Sequence, residues 1–555
     1  MVDFALYRLT FAPAVLAFVA LMFSLQGVPA PFEAPVPPSF DPARATATAR
    51  EIVSTAPERP PGSPGDGAIA DLVADRFGSI PAGSVSEQAV NGSYDGEDVT
   101  VRNVLVTLPG DSARTVLVLA GRDSPSGPGD ASSAAATAAL VELAATLGAS
   151  GHAKTYVLAS TSGYVDGAAG ARAVVDALAE PDLVDAVVVI SQPGAAAPSG
   201  PYVVGTSTGP NRTAAQLRAT ATAAVLEQAG LEHSEPGTFS QLARLAFPSG
   251  AGLQAPIVDA GFDAIAISAA GETPLPAAAA GADDFSRESL GGFGRAAMSV
   301  IQSMDVAAAR FAHGPEPYVG AGDNLVPGWT IALLALALLL PAWAAAADAV
   351  ARSLRRGEGL EPALAWGAGK AAPAVAGLVA LYVLALGGLV PDPEFPFDFD
   401  RYGAGAAGIA SMALIAAAMI AAGVAATARR RAPRIPRSAL LAAAGAISGV
   451  AGLGAWLANP YLGLLVAPAA HAWLAAVAGG RLAVASVAVA VSLVPLVLAL
   501  GAVASALELG GGAPWTFLLM VADHQIGFLT ALSLSVLTGG LAATIAAAPR
   551  RSASG

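Results

Sequence analysis

The chain has 555 residues, 54% of them hydrophobic, a formal net charge of -13 and no cysteine. The missing cysteines exclude disulfide staples, thiolate metal sites and a cysteine nucleophile. The acidic excess, which falls in the soluble-looking part of the chain, argues against nucleic acid or anionic lipid as that part's main partner. Ala, Gly and Pro are abundant and Arg outnumbers Lys, the composition expected of a high-GC bacterial coding sequence.

An apolar run from Leu9 to Leu25 follows Arg8 and leads into a Pro-rich stretch, 28–38. Its weakly charged flank and the prolines after its small-residue site favour an uncleaved transmembrane anchor (1–30) over a signal peptide, with a linker at 31–40. Residues 41–314 then read as one extracytoplasmic domain. Short β-branched runs at 101–108, 115–121, 155–160, 186–191 and 264–268 alternate with helical patterns at 131–147, 166–178 and 211–229. That alternation predicts an α/β fold, a three-layer αβα domain with a mostly parallel or mixed sheet. Ligands of such sheets bind beyond the carboxyl ends of the strands, which directs attention to the loops at 121–130, 160–166, 191–194 and 268–273.

After a linker at 315–327, a membrane domain of about seven helices occupies 328–548, with spans near 328–347, 368–390, 404–427, 438–458, 460–479, 482–506 and 515–548. Arginines crowd alternate connections: Arg352, Arg355 and Arg356; Arg429, Arg430, Arg431, Arg434 and Arg437; Arg481; and Arg550 and Arg551 in the tail, 549–555. The positive-inside rule then makes both termini cytoplasmic and the large domain extracytoplasmic in a multi-pass cell-membrane protein. The expected partners are the lipid bilayer and, beside it, other membrane proteins or an extracytoplasmic peptide or protein ligand, and no nucleic acid. His471, Asp523 and His524 are polar groups inside these apolar runs. They are costly there and offer an ion or proton route, against the plainer reading of Asp523 to Gln525 as an interfacial break before the last helix.

Three stretches, ERPPGSPGDGAIADLVADRF (58–77), GRDSPSGPGDASSAAATAALVELAATL (121–147) and QAPIVDAGFDAIAIS (254–268), resemble in order and placement the co-catalytic zinc aminopeptidases, family 28 of the metallopeptidases. The resemblance implies a zinc-exopeptidase fold and a two-zinc site: a His-x-Asp after the second strand, a bridging Asp opening a helix, a Glu pair after the next strand, a further Asp and a late His. Here the first motif reads Gly121-Arg122-Asp123, the Glu pair is replaced by Ser162-Gly163, the third carboxylate by Gln192-Pro193, and the segment after Ala270, with Glu272, has no His. Asp123 and Asp130 are the weak metal candidates that remain; Arg122, Asp123, Asp130, Ser162, Gln192 and Glu272 are the candidates for a ligand-binding loop surface.

Zinc needs three or four converging ligands and, for hydrolysis, a base beside its water. The expectation is therefore a pseudoenzyme, a non-catalytic binding or scaffold module without cofactor and with no catalytic residues. The alternatives are a membrane-bound zinc exopeptidase and a transporter or channel with an accessory outer domain. Each polar residue also has an ordinary role: Asp123 in an Asx turn, Asp130 as a helix N-cap, Glu142 on a solvated helix face, and Asp283 and Asp284 at a helix start. The overall plan is similar to that of the GPI transamidase subunit with an aminopeptidase-like domain.

Overall fold

Seven strands make the sheet of the outer domain: β1 (Ser84–Tyr94), β2 (Glu97–Leu108), β3 (Ser112–Gly121), β4 (Lys154–Thr161), β5 (Val184–Ser191), β6 (Val203–Val204) and β7 (Ala264–Ser268), in the order β1-β2-β4-β3-β5-β7-β6. The computed structural model describes all residues except 1–2, 125–126, 128, 164–166, 179, 277–278, 282–284, 308–310, 312–313, 429–434, 480 and 549–555. Asp283, Asp284, His313, the arginines of 429–434, Arg550 and Arg551 therefore lie outside the described residues.

Strands β4, β3, β5 and β7 run parallel. Antiparallel partners flank them: β2 against β4, β1 against β2, and β6 against β7. Every residue of β5 is buried, as expected of a strand covered on both faces. The pleat of β3 divides the core: Val116, Val118 and Ala120 face one cluster with helices Pro42–Thr55, Ala131–Leu147 and Arg287–Val306, while Leu117 and Leu119 face another with helix Gln254–Asp259. The result is the three-layer αβα domain.

The five strands expected from the sequence are present within a few residues. Strand β1 was not expected, because SVSEQAVNGSY holds an exposed edge in which Val90 alone is buried. Glu142 corrects an expectation: it is 4% exposed rather than solvated. Its Oε1 accepts from Arg44 Nη2 at 2.6 Å and from the Asp41 amide at 3.2 Å, which fastens helix Pro42–Thr55 to Ala131–Leu147.

Among the described residues, seven helices are long and apolar enough to cross a membrane: Gly328–Arg355, Leu360–Leu386, Ala406–Thr427, Arg437–Ala458, Pro460–Gly479, Leu482–Ala506 and Phe528–Ala547. The apolar run at 515–548 is not one helix; Ala513–Ala522 and Phe528–Ala547 are separated at Asp523. The span at 460–479 is likewise interrupted after His471. The N-terminal run forms Phe4–Leu9 and Ala12–Phe23, and the second, with 12 residues, is by itself ~18 Å long. The whole segment nevertheless lies antiparallel along Gly328–Arg355: the Asp3 amide donates to Asp348 Oδ2 at 3.0 Å, Ala14 and Ala17 pack near Ala337, and Gln26 pairs with Leu325.

The two halves meet over a wide seam. Helix Thr238–Ala246 packs on Pro460–His471 and Leu482–Ala506. Asn459 caps the first of these through Oδ1 and donates Nδ2 to the Leu245 carbonyl at 2.7 Å. Gln525 donates to the carbonyls of Thr208 and Pro248 at 2.7 and 2.8 Å. The acidic, Phe-rich connection at 391–402 fills the rest. Its Pro396 carbonyl accepts from the Gly167 amide at 3.0 Å, its Glu394 pairs with Arg172, and Phe395 and Phe397 are each 3% exposed.

Candidate functional site

Loops at the carboxyl ends of β3, β4, β5 and β7 converge, as the sheet topology requires. Directly after β3, Arg122 turns inward and is fully buried. Its Nε lies 2.7 Å from Asp66 Oδ1, its Nη1 donates to the Ser160 carbonyl at 3.0 Å, and its Nη2 donates to the Arg102 carbonyl. Asp66 sits in the first turn of helix Pro64–Gly78 and also accepts from Ser162 Oγ at 2.9 Å and from the Gly62 amide at 3.1 Å. One buried carboxylate thus gathers Arg122, the middle residue of the Gly121-Arg122-Asp123 motif, and Ser162, which stands where the resemblance places the Glu pair.

A second arginine reinforces this hub. Arg59 is fully buried and donates to the carbonyls of Arg122 at 3.1 Å, Ala56 at 2.7 Å and Asp130 at 2.7 Å. Burial pushes its guanidinium below the ordinary arginine value, and the nearby carboxylates of Asp130, Asp123 and Asp66 oppose that shift. Asp130 is a helix N-cap, accepting from the amides of Ser132 and Ser133 at 2.9 and 3.0 Å. Asp123, 1% exposed, lies within electrostatic reach of Arg59. Gln192, in the left-handed region at φ 47°, joins the end of β5 to the next loop, donating to the Thr273 carbonyl at 2.8 Å and accepting from the Leu275 amide at 2.7 Å.

Glu272 points elsewhere. It is bound by Arg244 Nη1 at 2.6 Å and accepts from the Ala251 amide at 2.9 Å, on the side that meets the membrane helices. The space left between Gly121, Asp123, Asp130, Ser132, Gln192 and Pro274 is about 20 Å³, room for a water rather than a peptide. Beyond β4, helix Ala169–Asp176 closes in: Asn103 Nδ2 donates to the Gly170 carbonyl at 2.8 Å, and a Cβ on Gly170 would meet Asn103 Oδ1 at 2.7 Å.

No group of three His, Asp or Glu side chains able to hold a metal occurs among the described residues. His152 bonds the Lys154 carbonyl at 2.7 Å at the opposite end of β4, and His233 stands beside Glu235. The sequence reading missed Asp66 and Arg59. A signal was present: Ser63-Pro64-Gly65-Asp66 has the spacing of a capping box, and Ser63 Oγ accepts from the Asp66 amide at 3.1 Å.

The polar residues of the membrane half are not brought together. His471 bonds the Ala467 carbonyl at 2.8 Å and packs on Tyr7 and Phe11 at 6.0 and 6.1 Å. It lies 12 residues along the helix from Asn459, ~18 Å below the seam. Asp523 and His524 lie at the seam itself, where His524 stacks on Tyr382 at 5.4 Å and Asp523 Oδ2 accepts from the Phe395 amide at 2.9 Å. The plainer reading of the Asp523 segment, an interfacial break, matches this geometry.

No family model matches the chain, and neither does any curated protein. Among solved structures, a glutaminyl cyclase from an Acidobacteriales bacterium is 15% identical over 50% of this chain and 99% of its own, with a TM-score of 0.39. A zinc aminopeptidase from Bacillus subtilis is 11% identical over 47% and 95%, TM-score 0.38. A leucine aminopeptidase precursor from Bacteroides thetaiotaomicron is 13% identical over 48% and 98%, TM-score 0.34. Likenesses at these scores carry no argument about chemistry. The elements themselves define an α/β, three-layer domain with a mixed sheet, joined to membrane-length helices.

Two outcomes follow from this geometry. Arg122→Ala strands the buried Asp66 carboxylate, and losing one partner of a buried pair costs ~3–5 kcal/mol; urea unfolding of the purified chain, followed by circular dichroism, should move to lower denaturant. Asp523 is pushed up to about 7 by burial and by its neighbours Asp392 and Glu394, against the Phe395 amide. A carboxyl raised above its unfolded value of about 3.9 destabilises the folded state progressively as pH rises from about 4 to about 7. Asp523→Asn should therefore raise the apparent melting midpoint relative to the parent at pH 8, with the gap closing by pH 4.

Proposed function

We propose that this chain is a polytopic membrane protein whose aminopeptidase-like outer domain is a non-catalytic binding or scaffold module. The observation that carries the reading is the space at the strand ends between Gly121, Asp123, Asp130 and Gln192, which at about 20 Å³ has room for a water and not for a peptide. Asp130 is engaged there as a helix N-cap and Gln192 ties two loops together, so these side chains support the architecture of the loops.

A cavity of about 480 Å³ opens between the loop after β7, with Thr273, Leu275 and Pro276, and the membrane edge, with Phe399, Glu508 and Trp515. That volume lies in the range of ligand sites, and its position supports recognition of a peptide or protein segment at the seam. The plan shared with the GPI transamidase subunit is consistent with a scaffold that presents other membrane proteins with such a segment.

Metal analysis of the full-length protein in detergent should find well under one zinc per chain. Hydrolysis of amino-acid anilides and cyclisation of glutaminyl peptides should both be at background. Stoichiometric zinc lost together with activity in Asp130→Ala would establish the exopeptidase reading instead.

The orientation proposed is outer domain and seam outside, arginine-bearing ends inside, with the N-terminal segment as an uncleaved anchor. Support comes from the path of the chain, which puts Arg352, Arg355, Arg356, Arg437 and Arg481 at the helix ends away from the outer domain. The absence of native cysteine makes labelling clean. In intact cells an impermeant maleimide should modify Asp98→Cys and spare Ile435→Cys; the reverse pattern would invert the topology.

A further inference from the structure

Helix Gly328–Arg355 begins at the outer domain, where the Gly328 amide bonds the Pro317 carbonyl at 2.8 Å, and its 28 residues carry it ~42 Å to the opposite end of the bundle. There, between the end of this helix, the start of Arg437–Ala458 and the short helix Trp473–Gly479, lies a cavity of about 140 Å³. Taking ~30 Å³ as the share of one liquid water, it has room for four or five. Its polar walls are Arg352, Arg356, Arg437, Ser438, Glu358 and Trp473.

The lining carries three guanidiniums against one carboxylate. Arg352 is held by Asp348 at 2.8 Å and approaches Asp3 at 3.6 Å. Arg356 approaches Glu358 at 3.6 Å and keeps half its side chain exposed. Arg437 donates Nε to the Ala547 carbonyl at 3.2 Å and Nη2 to the Ala476 carbonyl at 2.7 Å, and has no carboxylate partner among the described residues. Glu358 accepts from Ser353 Oγ at 3.0 Å and is hydrogen-bonded to Ser438.

Trp473 is a tightly packed part of the wall. It is 1% exposed, yet its indole N–H has no hydrogen-bond partner. An indole nitrogen only donates, and a donor buried without an acceptor is costly. The ring is held in place by close packing, since a Cβ on Gly445 would come within 2.7 Å of it. Three guanidiniums around a space of this size match a tetrahedral oxyanion, whose oxygens guanidinium forks meet in pairs.

We infer that this cavity binds a phosphate-class anion, which either an anionic phospholipid headgroup or a free phosphate would supply. Basic pockets between membrane helices are where lipid headgroups of this charge are held. The acidic outer domain lies at the other end of the bundle and does not oppose it.

The test uses the full-length chain in neutral detergent, titrated with phosphatidylglycerol, phosphatidylcholine or inorganic phosphate and read by tryptophan fluorescence and native mass spectrometry. One saturable phosphatidylglycerol per chain, with phosphatidylcholine weaker, identifies a lipid headgroup. Saturable binding of inorganic phosphate, displacing the lipid, identifies the free anion. In either case Arg356→Gln, at an exposed position, should weaken binding about three- to tenfold, in line with one lost charge-assisted hydrogen bond, and Arg356→Lys, which keeps the charge without the fork, should weaken it less. Both variants should keep the parent's melting midpoint in the absence of ligand. Failure of both probes to bind, or binding that neither variant changes, overturns the site.

Discussion

A guanidinium leaves water only where a carboxylate and several carbonyls receive it together, and the carboxyl edge of the sheet is organised around one such meeting. Arg122 takes its charge partner from helix Pro64–Gly78 and its other acceptors from the backbones of Ser160 and Arg102, so β2, β3, β4 and a covering helix are pinned by one side chain. Arg59 extends the set to Asp130 and so to the start of helix Ala131–Leu147. The two arginines tie the edge together by donating to carbonyls, and the space left between Gly121, Asp123, Asp130 and Gln192 is about 20 Å³.

That rigid edge is also the one turned toward the membrane half, and the seam has to satisfy backbone groups that neither water nor lipid reaches freely. Asn459 and Gln525, both at breaks between apolar helices, spend their amides on carbonyls of the outer domain. The Phe-rich connection at 391–402 supplies apolar surface, with Phe395 and Phe397 edge to face at 5.7 Å. Arg401, the arginine of this connection, stacks on Tyr94 at 4.1 Å and so is committed to the outer domain. The helical breaks at the seam are therefore parts of the docking surface, and they explain why polar residues interrupt the last apolar run.

Period and length made the sheet legible: the central strands are unbroken apolar runs, and their boundaries fell within a few residues. The edge strand β1 escaped because an exposed strand has little to distinguish it from a polar loop. The membrane helices were legible from length and the break at Asp523 to Gln525 from its polar residues, whereas the joint after His471 was not, since one polar residue in an apolar run leaves the hydropathy of a continuous helix. At the site, losses were easier to read than replacements. The sequence shows Gly121 where a ligand would stand; that its neighbour Arg122 faces Asp66, 56 residues earlier, is a tertiary fact. Glu142 failed for a related reason, because a lone carboxylate on an Ala-rich helix reads as solvated until the helix that covers it is known.

The cations of the membrane half are spread unevenly for a reason that links the seam to the far end. Near the outer domain, the acidic side chains Asp392, Glu394 and Asp523 stand close enough to raise the last of them, and Arg172 and Arg401 are drawn into contacts with the partner half. At the opposite end Arg352, Arg356 and Arg437 surround a cavity with one lining carboxylate. A bundle with acid at one end and base at the other has one favourable sense in a membrane whose two faces differ in potential, and each helix contributes to that sense by where its loop charges fall. The same asymmetry separates the two ends: the acidic end holds the outer domain, and at the basic end Arg352, Arg356 and Arg437 line the cavity while each is held by a carboxylate or a carbonyl.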